Sequence, residues 1–344
     1  MDKKVLIKKL LPIFLLFIII GIVITCSILI IINDVINKVN NSSAIVSNSI
    51  SKTNYEYDIN ESLNVININN DSNNYKITYD NKYIVYVKDN YLEIMDIDNN
   101  ENNMIHEKVK NENEIIYFTL DDKSNNIIYV TKHKDKDKIF TINVYNIDDK
   151  SNKEYNEIKI DNFSKVKQLV PNLKENVIYV NFETKTLTTI NNVLYKIEVD
   201  SFKIITDKLI DNMTLVNDKD IYYIDNVNNI YLNDKKLALS EDIIEIIGVD
   251  KENNIYFLTN SKVYKVKDDK ITETIMLTDS DLVSYYNNDG KVYLIYPTYI
   301  IDITSKNKYE RIYKLTNDVS FISIINDTIY LKSKSGSIMW KKIN

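Results

Sequence analysis

Cysteine appears once in the 344 residues, as Cys26, so no disulfide can staple the chain. An exported domain of this size without bridges fits a bacterium better than a eukaryotic secretory pathway, and the sequons at Asn40 and Asn41 then carry no weight. Glycine falls to 4 copies, at 21, 248, 290 and 336, which excludes a phosphate-cradling loop of the usual form. The two histidines, His106 and His133, lie in turns rich in Lys with Glu or Asp, and neither has a partner at the spacing of the three or four ligands that zinc needs. There is no G-x-S-x-G elbow, and Ser335-Gly336-Ser337 reads as a turn. No catalytic residue, metal ligand or cofactor follows. Arginine is present only as Arg311, and the formal net charge is −6 although residues 1–32 contribute four Lys against one Asp. An acidic main domain with one Arg excludes nucleic acid, whose binding needs a basic face.

What the chain does have is tyrosine, 26 copies, in a background of Ile, Asn, Asp and Lys. The codon bias of an AT-rich genome accounts for Lys over Arg. Tyr and Ile favour strands, while Asn and Asp accept the left-handed backbone where a turn would otherwise use Gly. A hydrophobic-Tyr core recurs as Val85-Tyr86, Ile128-Tyr129, Ile178-Tyr179, Ile221-Tyr222, Ile255-Tyr256, Val292-Tyr293 and Ile329-Tyr330, in steps of 34 to 50 residues. That period suits a repeat built from one small antiparallel sheet. The expected fold is an all-β, seven-bladed β-propeller, with six or eight blades left open because the step from Tyr129 to Tyr179 is long.

Each core should be the second strand of its blade, buried on both faces, as the continuous apolar look of Val177-Ile178-Tyr179-Val180 suggests. The last blade is one strand short at the C-terminus, and the stretch 63–68, Leu-Asn-Val-Ile-Asn-Ile, is expected to complete it and close the ring.

Ahead of the propeller, residues 10–32 carry no charge, and at about 1.5 Å per residue this run spans a bilayer core. Lys3, Lys4, Lys8 and Lys9 precede it, which places residues 1–9 in the cytoplasm and the domain outside. The run is too long for a cleaved signal peptide; lipidation at Cys26, in Val23-Ile24-Thr25-Cys26, is the competing reading. Residues 33–53 are Ser/Asn-rich and read as a tether, with the extracytoplasmic propeller occupying 54–344.

Two candidate sites stand out. The turn after the Tyr129 strand carries Lys132, His133, Lys134, Asp135, Lys136, Asp137 and Lys138, and the equivalent place in the third blade carries Glu183, Thr184, Lys185, Thr186, Leu187, Thr188 and Thr189. Both exceed the connection of about four residues seen elsewhere, and they project from one face of adjacent blades. Solvated hairpin tips are the bland alternative. A calcium-loop pattern starts at Asp96, with Asp98, Asn100 and Glu107 at positions 3, 5 and 12, but Glu101 stands where the sharp turn needs Gly. A strand-connecting turn explains it better. Paired carboxylates such as Asp121-Asp122 suit Asx turns equally well.

At Tyr222-Tyr223-Ile224-Asp225 the repeat resembles a degenerate Tyr-Trp-Thr-Asp motif of low-density-lipoprotein-receptor-type propellers. The chain is also similar to Tyr-rich propellers found behind a single membrane helix in low-GC Gram-positive bacteria. The resemblance implies an extracellular propeller and carries over no catalytic residue. The expected function is a membrane-tethered binding or scaffolding module that recognises a protein through one face. A carbohydrate- or wall-binding propeller that meets a cell-surface glycan is the alternative.

Overall fold

The computed structural model describes residues 47–49, 56–58, 63–66, 74–97, 105–110, 112–239, 243–277, 281–304, 312–315 and 319–342. The apolar run 10–32, most of the tether and the middle of the Asp96 to Glu107 turn lie outside the described residues. Among the described residues no helix is long and apolar enough to cross a membrane. The chain divides into two compact units, Met1–Ser47 and Asn48–Asn344, and everything below concerns the second.

Seven sheets follow one another along the chain, five of four strands and two with a fifth strand added at the outer edge; in all but the last, the four core strands are antiparallel and neighbour in sequence order. The second strands are Tyr83–Lys88, Asn126–Lys132, Val177–Lys185, Asp220–Asp225, Ile255–Thr259, Lys291–Ile295 and Thr328–Ser333, so each repeat core sits on its blade's second strand. The first strands touch the first strands of both neighbours all the way round, including Val319–Ile325 against Lys76–Ile77. The ring is therefore closed with seven blades.

The last sheet shows how it closes. Val319–Ile325, Thr328–Ser333 and Ile338–Lys342 supply three strands, and Asn64–Ile66 pairs antiparallel with the third through Asn64 opposite Trp340 and Ile66 opposite Ile338. Ile66 is buried beside Ile338 and Tyr75, so the N-terminal strand also fills the junction with the first blade. Glu56–Asp58 adds a fifth strand, parallel to Ile312–Lys314, on the outer edge of blade 6.

Seven apolar clusters occupy the seven junctions between blades. Strand alternation explains them: Ile128 and Val130 face blade 3, while Ile127 and Tyr129 face blade 1. The repeated tyrosines do not all point one way. Tyr179, Tyr222, Tyr256, Tyr293 and Tyr330 pack toward the following blade, whereas Tyr86 and Tyr129 pack toward the preceding one. Neighbouring strand positions face opposite junctions, so Val85 and Ile128 take the orientation in blades 1 and 2 that the tyrosine takes elsewhere.

The turns bear out the role of Asn and Asp. Among the described residues, seventeen non-glycine residues have positive φ, and all but Lys150 are Asn or Asp. Pairs such as Asp89-Asn90, Asp268-Asp269 and Asn326-Asp327 hold both central positions of two-residue hairpins, where the strand twist demands left-handed backbone. Asparagine has a second task. The side-chain amide of Asn81 donates to Ile325 O at 3.0 Å, Asn287 to Val249 O at 3.1 Å and Asn288 to Ile324 O at 3.2 Å. Asn172 likewise donates to Asp218 O. Each of these bonds crosses a junction and ties a blade to its neighbour's backbone.

Candidate functional site

Up-and-down strands put two kinds of connection on two opposite faces. The turns joining first to second strands, and third to fourth, lie on one face, here the turn face. The hairpins joining second to third strands, and the links between blades, lie on the other, the hairpin face.

Both sequence-predicted sites are on the hairpin face. In blade 2 the strand ends at Lys132, residues 133–138 form the connection, and the third strand is Ile139–Asn146. His133 caps the turn: its backbone N–H donates to Ile139 O at 3.0 Å, and its Nε2 lies 3.0 Å from Thr141 Oγ1 and 3.5 Å from Glu157. Lys132 pairs with Asp137 at 3.4 Å and Lys138 with Asp161 at 2.7 Å. His133 is thus engaged in shaping the hairpin.

Blade 3 departs from expectation. Glu183, Thr184 and Lys185 belong to the strand Val177–Lys185, and the connection is only Thr186 to Thr189, as short as those at 226–229 and 334–337. What carries it outward is strand length: nine and eight residues flank it, against five and six in blade 5. The tip is tightly drawn, with Thr186 N donating to Thr189 O at 2.9 Å and the two hydroxyls 2.7 Å apart. Leu187 at the tip is fully exposed. Glu183 turns back and is held by Lys165 at 3.5 Å and the Ser164 hydroxyl at 3.1 Å.

The two hairpins are joined through the link between their blades. Ile160 N donates to Lys138 O and Lys185 N donates to Asn162 O, both at 2.8 Å. Beneath them Phe163 sits 4.4 Å from Phe140 and 6.2 Å from Phe182, centroid to centroid, so both bases rest on one aromatic cluster. Residues 132–138 and 183–189 thus form one platform on a shared base. The other exposed apolar side chains of this face, Ile190, Val227, Ile244, Met276 and Val283, continue through blades 3 to 6.

The turn face carries a cavity of about 920 Å³ at the mouth of the central axis. Five turns line it, bringing Asp121, Asp122, Asp218, Asp250 and Asp289 together with Lys123, Lys174 and Lys251. Lys123 reaches from blade 2 to Asp218 of blade 4 at 2.9 Å, and Lys251 pairs with Asp289 at 2.8 Å. Asp122 is open to solvent but enclosed by the mouth; that desolvation, with Asp121 beside it, holds its carboxyl above the usual range.

Other sequence candidates resolve as structure. Glu107 lies in the strand Ile105–Lys110 and pairs with Lys150 at 3.7 Å, and Asp96 ends the strand Tyr91–Asp96, so strands rather than helices flank the calcium-like stretch. Asp98, Asn100 and Glu101 lie outside the described residues, as does the His106 side chain. Among the described residues no group of three His, Cys, Asp or Glu could hold a metal. The repeat tyrosines Tyr86, Tyr129, Tyr179, Tyr222, Tyr256, Tyr293 and Tyr330 are all buried and offer no sugar platform.

The Asp225 of the repeat motif is a clamp that the sequence reading missed. It is buried and accepts from Val227 N, Asn229 N and Nδ2, and the Tyr231 hydroxyl, at 2.8 to 3.2 Å. Asp250 does the same on the opposite face, accepting from Glu252 N, Asn254 N and Nδ2 and the Tyr256 hydroxyl, with Lys265 at 3.2 Å. The shared spacing Asp-x-x-x-Asn-x-Tyr was the available signal. Burial disfavours both charges, but these donors outweigh it and hold both carboxyls below the usual range.

No family model matches the chain, and no curated protein matches it in sequence. Solved structures match in fold. The β-propeller domain of Myceliophteria thermophila Cps50 (Swd1) superposes with a TM-score of 0.55 at 9% identity, over 82% of this chain and all of that one. Kluyveromyces lactis Hsv2p gives a TM-score of 0.47 at 11% identity over 79% and 90%. The extracellular domain of BT4673 from B. thetaiotaomicron gives 0.48 at 13% over 81% and 42%. At these identities the likeness to the Cps50 domain supports the propeller and nothing finer.

Proposed function

We propose that the chain is a membrane-tethered, extracytoplasmic interaction module, anchored through residues 10–32, whose propeller engages a protein through the hairpin face of blades 2 and 3. The observation that carries this is the platform. Two hairpins, tied by backbone hydrogen bonds to one short link, present an exposed Leu187 on a rigid base, which lowers the entropy cost of docking. The uncharged run behind four lysines supports the tether, and so does the similarity to Tyr-rich propellers behind a single helix in low-GC Gram-positive bacteria.

Location is tested by protease shaving of intact cells: the propeller is degraded if it faces outward and survives if the topology is inverted. The platform is tested by replacing 133–138 and 186–189 with two-residue Asn-Gly turns in the full chain. In-cell cross-linking to the partner should disappear while the denaturant midpoint holds. Unchanged cross-linking overturns the assignment of the face.

A further inference from the structure

The geometry points to the chemistry of the partner, an inference that rests on the platform reading above: a protein surface that closes an apolar socket over Leu187 and lines the rim of that socket with carboxylates. The charges that are already paired leave a remainder of one sign. On the two hairpins and their link, Lys132 is taken up by Asp137, Lys138 by Asp161, and Glu183 by Lys165. The ammonium groups of Lys134, Lys136 and Lys185 make no hydrogen bond or ion pair among the described residues, and Asp135 is the one carboxylate there left in the same condition. Three unpaired cations stand against one anion on the two hairpins that flank the link, on a chain whose overall charge is −6. Complementarity of sign steers a partner and fixes its register more than it adds raw affinity, so the anchor has to be the apolar tip. Leu187 is fully exposed and Ile190, at the base of the same hairpin, half exposed, and the bonds between Thr186 and Thr189 close the tip and reduce the freedom it would lose on docking.

Interleaved signs select a protein over a uniformly anionic surface. Asp135, Asp137, Glu157 and Asp161 alternate with the lysines across the platform, and Glu157 lies 3.5 Å from His133. A phosphate-covered lipid or nucleic-acid surface would meet the unpaired Asp135 and compete with the acids for their paired lysines, whereas a folded partner can place carboxylates opposite Lys134, Lys136 and Lys185 and leave the acids as they are.

The test uses the full chain in its own cells with a photoreactive leucine analogue at position 187, followed by sequencing of the cross-linked peptide. The expected product is one protein whose cross-linked peptide carries Asp or Glu beside apolar residues. With that protein purified, the double variant Lys134→Glu/Lys136→Glu and the single variant Leu187→Ser should each weaken binding at least tenfold. Raising the salt should weaken the wild type and leave the charge-reversed variant nearly unaffected. Reversal of the partner's carboxylates to lysine should restore binding to the charge-reversed platform. A cross-link to lipid, to a second copy of this chain, or to a peptide without acidic residues overturns the inference, and so does binding indifferent to charge reversal. If shortening both hairpins abolishes capture but charge reversal does not, the platform reading stands and this partner chemistry fails. If shortening leaves capture intact, the reading beneath it fails.

Discussion

The turn face and the hairpin face are made by the same strands, yet they differ in what limits them. On the turn face most junctions are stapled by side chains. Asparagine amides cross from blade to blade, ion pairs such as Lys123 with Asp218 span the mouth, and a Cβ added at Gly290 would come 2.6 Å from the backbone N of Lys251 in the neighbouring turn. On the hairpin face lengths vary from the two residues at 89–90 to the six at 133–138, and most of the large apolar side chains left exposed are found there. The turns of five blades meet around one mouth, whereas the hairpins lie on the other face and can change without disturbing that mouth. A face that is free to vary is the one on which recognition can be built.

The clamps put this contrast at risk most directly, because Asp225 belongs to the hairpin face and Asp250 to the turn face. Removing either carboxylate leaves several buried donors without an acceptor, and Asp225→Ala and Asp250→Ala should each cost about 3 kcal/mol in urea unfolding. Near-equal losses would mean that both faces share one structural grammar beneath their different surfaces. A neutral Asp225→Ala would mean that the hairpin face tolerates change even at its clamps. The pH dependence has a definite sign. Both folded carboxyls sit below the ordinary value of about 3.9, so their contribution is fully present above that pH and is lost as pH falls through the folded values. The stability gap between wild type and either variant should therefore narrow as pH drops below about 4, and a gap that stays constant would count against the charged clamp.

The architecture was legible because it rests on periodicity. Hydrophobic-Tyr cores on doubly buried strands, Asn and Asp at left-handed turns, and an orphan strand near residue 65 are all local patterns that reappear in the fold. What was illegible depends on pairs distant in sequence. The tie between the two hairpins runs through Ile160 and Asn162, whose backbone partners no residue type announces. The staples from Asn81 to Ile325 and from Asn288 to Ile324 were hidden because Asn is so common that each copy was read as a turn residue. The projection of blade 3 was misattributed for a related reason. Thr184 and Lys185 look like loop residues, but pairing with Asn191 and Ile190 keeps them in the ladder. The mouth of the axis left no trace in the sequence, since its wall is assembled from five turns spread over some 170 residues.

A smaller effect comes from Gly290 and Gly336, which have positive φ and lie one on each face. Gly290→Ala must adopt a left-handed backbone at φ +66° and also push its Cβ against Lys251, so it should cost about 3 kcal/mol. Gly336→Ala meets the φ penalty alone, because nothing lies within 4 Å of the added carbon, and should cost about 1 kcal/mol. Equal costs would erase the packing difference between the faces. Smaller still is Lys123→Ala. Its ammonium crosses the mouth to Asp218, but Lys123 is 68% exposed, and the loss should stay below about 1 kcal/mol.

The smallest effect on stability is also the one that separates recognition from architecture. Replacing 133–138 and 186–189 by Asn-Gly turns removes no residue of the aromatic cluster at Phe140, Phe163 and Phe182, and the strand ladder from Ile178 to Glu183 remains. It does remove Lys138, whose carbonyl accepts from the N–H of the buried Ile160, but the backbone carbonyl of the inserted Gly stands in the same place before Ile139 and can accept instead. The expected change in unfolding free energy is therefore within about 0.5 kcal/mol, the range of surface substitutions away from buried features. A loss comparable to that of Asp250→Ala would make the hairpins part of the ring's stability. The hairpin face would then be constrained like the turn face, and the freedom that makes it a plausible place for recognition would be gone.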